Sequence, residues 1–418
     1  MSSNEWNYLT ASTFCSKVTD GTHDSPQRQE SGKPLVTSKH IKERNIDFES
    51  AYLISIEDFN KINLRSKVEQ WDVLISMIGE YCGFCYVERN ENIDYAVKNV
   101  GIFKTGSKSK AEWLYYFLNS SLGKNSLASL KTGTSQPYIS LGALRELQIL
   151  VPKNNAVLNK IVSILSSIDE KIENNRQTNQ TLEEIARTLF KEWFVNFSYP
   201  NADGSRKHSE FGEIPSNWKV EGIGTICYVQ NGYAFKSNDF KETGEVGIVK
   251  IKNINGNVVD IEKTDFVDIS VIEKLDSKFK IESGSLLIAM TGAGVGKIGL
   301  VPLTDKNLWL NQRVGMFKEQ IAFGNLFMYL LLSSDTYYTA IQNSALGSAQ
   351  PNISASAIES IRAIIPTADL IEQFGKIVNP MFEKILDNLA ENETLKITRD
   401  SLLPKLMSGE IDVNISNA

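Results

Sequence analysis

The strongest constraint on this chain is a pair of matching seams, each with the same two flaws. From Asn154 to Phe197 apolar residues fall on a heptad. Leu158, Leu165, Ile172, Ala186 and Trp193 take one core position, and Ile161, Ile168, Leu182 and Leu189 take the other. A repeat of 3.5 residues is the pattern that buries one face of a long helix against a second helix. At 1.5 Å per residue such a helix is a rod of roughly 60 Å. Two seam positions are polar, Asn175 and Asn179. A buried Asn costs stability but fixes register. Shifted by 213 residues the seam returns as Ile371, Phe374, Val378, Met381, Ile385, Leu395 and Leu402, with Asn388 and Asn392 at the two flawed positions. Two long helices are therefore expected, the second spanning about Ala368 to Met407. Packed antiparallel, they set Asn175 opposite Asn392 and Asn179 opposite Asn388.

The repeat extends beyond the helices. Val73–Gly79 (VLISMIG) matches Leu286–Gly292 (LLIAMTG), and Leu35–Ile41 matches Ile248–Ile254. Val100–Phe103 matches Val314–Phe317, Leu114–Leu118 matches Met328–Leu332, and Gly133–Pro137 matches Gly347–Pro351. Cys15 and Cys227 fall at matching places and read as small core residues. Each copy is thus a globular unit followed by a long helix. VLISMIG and LLIAMTG are short apolar runs bounded by turn residues, which predicts buried strands. Short helices are expected at Ala111–Ser120 and Asn325–Ser334. Pro152 and Pro366 mark the entry into each rod, and Pro380 is expected to kink the second. Residues 198–217, polar with Gly and Pro, read as the linker between copies. The expected fold is α+β: two repeated α/β domains, at 1–152 and 218–366, separated by long helices at 153–197 and 367–410 packed as an antiparallel coiled coil, with a tail at 411–418.

Composition narrows the function. With 42% apolar and 22% charged residues the chain reads as an ordinary globular protein. No apolar run is long enough for a membrane helix, and the N-terminus lacks a signal-peptide pattern, so no membrane partner and a cytoplasmic location are expected. The net charge of −6 weighs mildly against DNA binding by the chain alone, although much of the deficit lies in the C-terminal helix and tail. Catalytic motifs fail one by one. Gly292–Lys297 lacks the glycine spacing and the Ser or Thr of a phosphate loop, and a Gly-rich hairpin fits better. Cys82 and Cys85 have no second pair to complete a zinc site. Asn379-Pro380-Met381-Phe382 lies inside a heptad helix and lacks a cofactor strand. No catalytic and no metal-binding residue is expected.

Two loops stand out, Lys131–Tyr138 and Leu346–Asn352. Both combine short polar groups with open backbone N–H groups, which can hold phosphates or base edges. The alternative is a structural turn before each rod. The loop candidates for DNA contact are Lys131, Thr134, Gln136, Ser348 and Gln350. The basic candidates are Lys39 and its repeat partner Lys252, with Lys98, Lys104, Lys250 and Arg313; solvated surface is the alternative for each. Two heads on a rigid spacer suit a two-sided ligand such as duplex DNA.

At this point the chain resembles a specificity subunit of a type I restriction–modification system. The resemblance is carried by Asn179–Phe197 (NQTLEEIARTLFKEWFVNF), Gly212–Trp218 (GEIPSNW), Leu402–Ile411 (LLPKLMSGEI) and the two Gly-x-x-Gln-Pro loops, and it covers nearly the whole chain in order and spacing. It implies two target recognition domains, each reading half of an interrupted, asymmetric site in double-stranded DNA, with the helices as the ruler. It implies no catalytic activity in this chain and no cofactor of its own. Two modification subunits would bind S-adenosylmethionine and methylate adenine, and restriction subunits would use ATP and Mg2+. On this resemblance Trp193, Phe194 and Phe197 are docking residues for a modification subunit; the alternative is packing at the rod end. The rival reading of the whole chain is a non-catalytic two-headed scaffold that binds other proteins.

Overall fold

A computed structural model describes residues 5–42, 45–133, 135–254, 256–345 and 351–413. The chain divides into two compact units. Unit 1 joins Met1–Glu170 to Leu395–Ala418, and unit 2 is Lys171–Thr394. The first long helix is Asn155–Phe190, closed by a π turn at Lys191–Val195. The second is Ala368–Met407 and runs as one helix through Pro380 and Pro404.

Among the described residues, unit 1 is built on nine strands. They are β1 (Trp6–Thr10), β2 (Lys17–Asp20), β3 (Lys33–Thr37), β4 (Leu53–Ile54), β5 (Asp72–Ser76), β6 (Cys85–Val87), β7 (Ala96–Lys98), β8 (Val100–Lys104) and β9 (Gln148–Pro152). An antiparallel sheet has the order β2-β8-β5-β6, a second sheet has the order β4-β3-β7, and β1 pairs with β9. The predicted strand β5 is buried along its whole length, as expected of an apolar run covered on both faces. The helix Lys108–Asn119 packs behind it, capped by the Ser107 hydroxyl on the Lys110 N–H.

Unit 2 repeats this frame. Its strands are β10 (Arg206–Ser209), β11 (Gly212–Pro215), β12 (Lys219–Gly222), β13 (Cys227–Asn231), β14 (Val246–Val249), β15 (Asp265–Val267), β16 (Lys280–Ile281), β17 (Leu286–Ala289), β18 (Ile298–Leu300), β19 (Asn307–Leu310), β20 (Val314–Glu319) and β21 (Arg362–Ile365). The order β13-β20-β17-β18 matches the first sheet of unit 1, β15-β14-β19-β16 matches its second with one strand added, and β12-β21 matches β1-β9. In both units the second sheet holds one parallel pair, β3 with β7 and β14 with β19. The helix Gly324–Leu332 stands where Lys108–Asn119 stands in unit 1. The stretch read as a linker carries the hairpin β10–β11, and Tyr199 stacks on the buried Trp218 with ring centres 5.3 Å apart.

Each core draws on both long helices. In unit 1, Leu158, Ile161 and Leu165 from the start of the first helix meet Leu403, Leu406 and Met407 from the end of the second, all around Trp113 and Phe103. In unit 2 the roles exchange. Ile371, Phe374 and Val378 from the start of the second helix meet Ala186, Phe190, Trp193 and Phe194 from the end of the first. Full burial of each Leu, Ile, Val, Phe or Met among these contributes about 1.5–3 kcal/mol.

The two seam flaws meet as the antiparallel register demands. Asn175 Nδ2 donates to Asn392 Oδ1 at 3.0 Å, and Asn388 Nδ2 donates to Asn179 Oδ1 at 2.7 Å. Asn175 Nδ2 also reaches Glu391 Oε2 at 2.7 Å. A one-heptad slip would leave these amides facing apolar side chains, so the pairs select one register.

Candidate nucleic-acid interface

In unit 1 the loop after the short helices returns to the segment just past the C-terminal end of β5. Gly79 N–H donates to Pro137 O, and Ile139 N–H donates to Met77 O, both at 2.9 Å. Thr132 and Tyr138 close the loop with reciprocal backbone bonds of 2.9 Å. The same end of the sheet receives the turn at Ser38–His40. The Ser38 hydroxyl donates to Asn99 O at 2.5 Å, and Met77 N–H donates to Ser38 Oγ at 3.2 Å. Asn99 takes a left-handed φ of 54° between β7 and β8, which a short polar side chain tolerates better than most. Its Oδ1 meets His23 Nδ1 at 2.9 Å, and His23 Nε2 meets Asp20 Oδ2 at 3.0 Å. One rim thus gathers Lys39, Gln136 and Tyr138, all exposed. Lys42 joins them, its ammonium 3.8 Å from the Tyr81 ring centre and bonded to Lys39 O.

Unit 2 builds the same rim with partly different side chains, Asn352 standing where unit 1 has Tyr138. Gly292 N–H donates to Pro351 O at 2.9 Å, and Ile353 N–H donates to Met290 O at 3.0 Å. Met290 N–H in turn donates to Arg313 O at 3.0 Å. The turn at Ile251–Asn253 matches Ser38–His40. Its cap is Asn253 Oδ1, which accepts from Lys250 N–H at 2.8 Å, where unit 1 uses His40 Nδ1 on Thr37 N–H at 2.9 Å. So the repeat seen in sequence is a repeat of hydrogen bonds at this rim.

A family model for the type I restriction modification DNA specificity domain matches residues 5–184 and again 215–396. The chain belongs to this specificity family. Among its relatives, the MjaIX specificity subunit of Methanocaldococcus jannaschii is 29% identical over 307 residues, 72% of this chain and 69% of that one. The HindI specificity subunit of Haemophilus influenzae is 27% identical over 344 residues, 68% of this chain and 73% of that one. The crystal structure of a type I S subunit from M. genitalium has the same fold, with a TM-score of 0.60 at 17% identity over 97% of both chains.

The candidate residues of this specificity chain fall into three groups. Lys39, Gln136 and Arg313 are exposed at the rims, and Lys131 lies beside Gly83, next to the first rim. Lys98, Lys250 and Lys252 are near a rim but engaged. Lys98 Nζ donates to Ser25 Oγ. Lys250 and Lys252 each place Nζ 2.6 Å from a different oxygen of Asp265, and Lys250 also lies over the Phe240 ring. Burial pushes the Asp265 carboxyl up, but the hydrogen bonds from the two lysines outweigh it and hold the group below its ordinary value. Lys104 does not belong to a rim surface. Its ammonium is largely buried, 2.7 Å from Asp72, 2.9 Å from Glu69 and 2.6 Å from Lys67 O, because the buried Asp72 needs a counter-ion. Burial raises Asp72 to about 6 despite that partner. Thr134, Ser348 and Gln350 lie outside the described residues.

Trp193 and Phe194 are buried in unit 2 against Phe374, at 5.5 and 4.9 Å between ring centres, so they pack the rod end and offer little surface. Phe197 is half-buried, with Trp218 on one side and the Arg206 guanidinium 4.7 Å from its ring. Cys15 and Cys227 are core residues, and burial pushes Cys15 up to about 12. Sequence reasoning did not single out Asn99 or Lys42, and it took Tyr138 only as the end of the loop Lys131–Tyr138. Asn99 needed the strand crossing to be known.

Proposed function

We propose that each rim reads one half of an interrupted, asymmetric site in double-stranded DNA, and that the paired helices hold the spacer between the halves. The chain is then the non-catalytic reading subunit of a cytoplasmic type I restriction–modification complex. Two modification subunits dock on it, bind S-adenosylmethionine and methylate adenine. Restriction subunits, using ATP and Mg2+, join that core. The observation that carries this reading is the rim built twice from one set of backbone bonds, its side chains alike at Lys39 and Lys252 but different at Tyr138 against Asn352 and Asn99 against Arg313. A shared frame with divergent lining is what two readers of two different half-sites need, since base edges are told apart by side-chain donors and acceptors. The mild acidity of the chain is compatible with it, because affinity follows the phosphates neutralised by the whole assembly.

The test is a map of methylated adenines in a host carrying this chain with its modification subunit, against the same host with the chain deleted. The expected result is a two-part motif with a fixed gap that vanishes on deletion. Unchanged methylation would overturn the reading.

A further inference from the structure

In each unit a buried tyrosine of the short helix behind the central sheet reaches a carboxylate on the first long helix. In unit 1, Tyr116 Oη donates to Asp169 Oδ2 at 2.8 Å. Asp169 Oδ1 accepts from Arg399 Nη1 at 3.0 Å, and both ions are nearly buried, at 10% and 15% exposure. In unit 2, Tyr329 Oη donates to Glu183 Oε1 at 2.7 Å. Glu183 Oε1 also accepts from Arg187 Nη2 at 2.7 Å and from Asn257 Nδ2 at 2.8 Å. The Tyr329 ring lies 5.3 Å from Phe382 of the second helix. Burial, then Glu183, raises the Tyr329 phenol, so it stays a donor.

Two features separate these pairs from ordinary satisfaction of a buried hydroxyl. Any carbonyl would satisfy a phenol, yet both hydroxyls choose a carboxylate braced by a guanidinium, the stronger and more directional arrangement. Both carboxylates also follow directly after a seam residue, Ile168 and Leu182, and stand two heptads apart in sequence. They occupy one heptad position, which flanks the seam of the helix pair. The head of each unit is therefore tied to the rod at a fixed rotational position on the helix, by a bond that a small rotation would break.

We propose that Tyr116–Asp169 and Tyr329–Glu183 key each head to the first helix and so set the gap between DNA half-sites that the subunit accepts. This rests on the reading given under Proposed function. The four residues are positioning residues; none need touch DNA. The test uses the assembled methylating complex with the full chain carrying Tyr116→Phe, Tyr329→Phe, Asp169→Asn or Glu183→Gln, one at a time, on a DNA library in which the gap varies by one base pair either way. Losing one charge-assisted bond is expected to raise modification of the off-length sites by about tenfold relative to the parent length, with both half-sites unchanged. An unchanged gap preference, with only a lower melting temperature, would overturn the proposal. So would loss of all methylation in both members of a pair, which would make the pair a folding requirement. Failure of the functional reading looks different: the unmutated chain would yield no two-part motif at all.

Discussion

Unit 1 and unit 2 share strand order, rim bonds and core layout, yet they differ sharply where a polar loop meets the helix after β4 or β15. In unit 1 the loop 22–29 and the helix Ile56–Ser66 leave an open cleft of about 750 Å3, lined by His23, Gln29, Lys61 and Arg65 among others. In unit 2 the corresponding loop carries Phe235 and Phe240, which close over Phe279 and Trp309 into a separate apolar cluster. The bridge that anchors each loop is the same, Thr22 with Lys98 and Tyr233 with Asn311. The frame is thus held by buried strands and backbone bonds, while the lining is free to change from wet to dry. The lesson is that duplication kept what packs and varied what faces out.

The largest effect expected on this comparison comes from the cores. Phe374→Ala should destabilise unit 2 by about 3–5 kcal/mol, since it removes a ring on which Phe190, Trp193 and Phe194 all rest. Urea unfolding followed with a probe in each unit would check it; equal loss in unit 1 would break the division into two packing units. Next is the seam. Asn175→Leu alone should cost about 1–3 kcal/mol, because it strands the Asn392 amide. Adding Asn392→Leu should recover most of that loss, and a thermal double-mutant cycle measures the coupling.

A smaller effect concerns rim charge. Lys39→Ala or Lys42→Ala should weaken DNA binding by the assembled complex for all sequences alike and lower the salt slope by about 1 each. Asp265→Asn should do the reverse by releasing Lys250 and Lys252. Affinity measured across a salt series would show whether the two rims differ in this way. The smallest effect is a pH difference. His40 is held below its ordinary value of 6.5, by burial first and then by Lys39. A lowered folded value means stability is present above 6.5 and is lost as pH falls through the lower folded value. Unit 1 should therefore lose stability on mild acidification at this turn, and His40→Asn, which copies Asn253 of unit 2, should abolish that loss. Melting temperatures between pH 7 and pH 5 would test it.

The seam, its register and the strands β5 and β17 were legible in the sequence because each is written locally, in a period or an apolar run that recurs. The rim loops were legible as a place, through Gly133–Pro137 and its copy, but not as a set of neighbours. Lys104 shows why: an exposed-looking lysine on a short strand is claimed by Asp72 across the sheet, and nothing in either stretch announces the pairing. The hairpin β10–β11 was missed for a related reason, since its four-residue strands are polar and are held by Arg362 on Glu210 at 2.8 Å, 152 residues away. Residues chosen by their packing partners in distant sequence escape a reading that works by neighbourhood.

The crossing of the two cores has a consequence for how the protein is made. Unit 1 is assembled from residues 1–170 and 395–418, so its core stays unfinished until the second helix has been made. At about 5–20 residues per second, some 225 residues of elongation separate its first segment from its last, a wait on the order of 10–45 s. Leu403, Leu406 and Met407 arrive only with the final turns of the second helix. A chain that stops before these turns therefore lacks the residues that cover the apolar face of the first helix in unit 1.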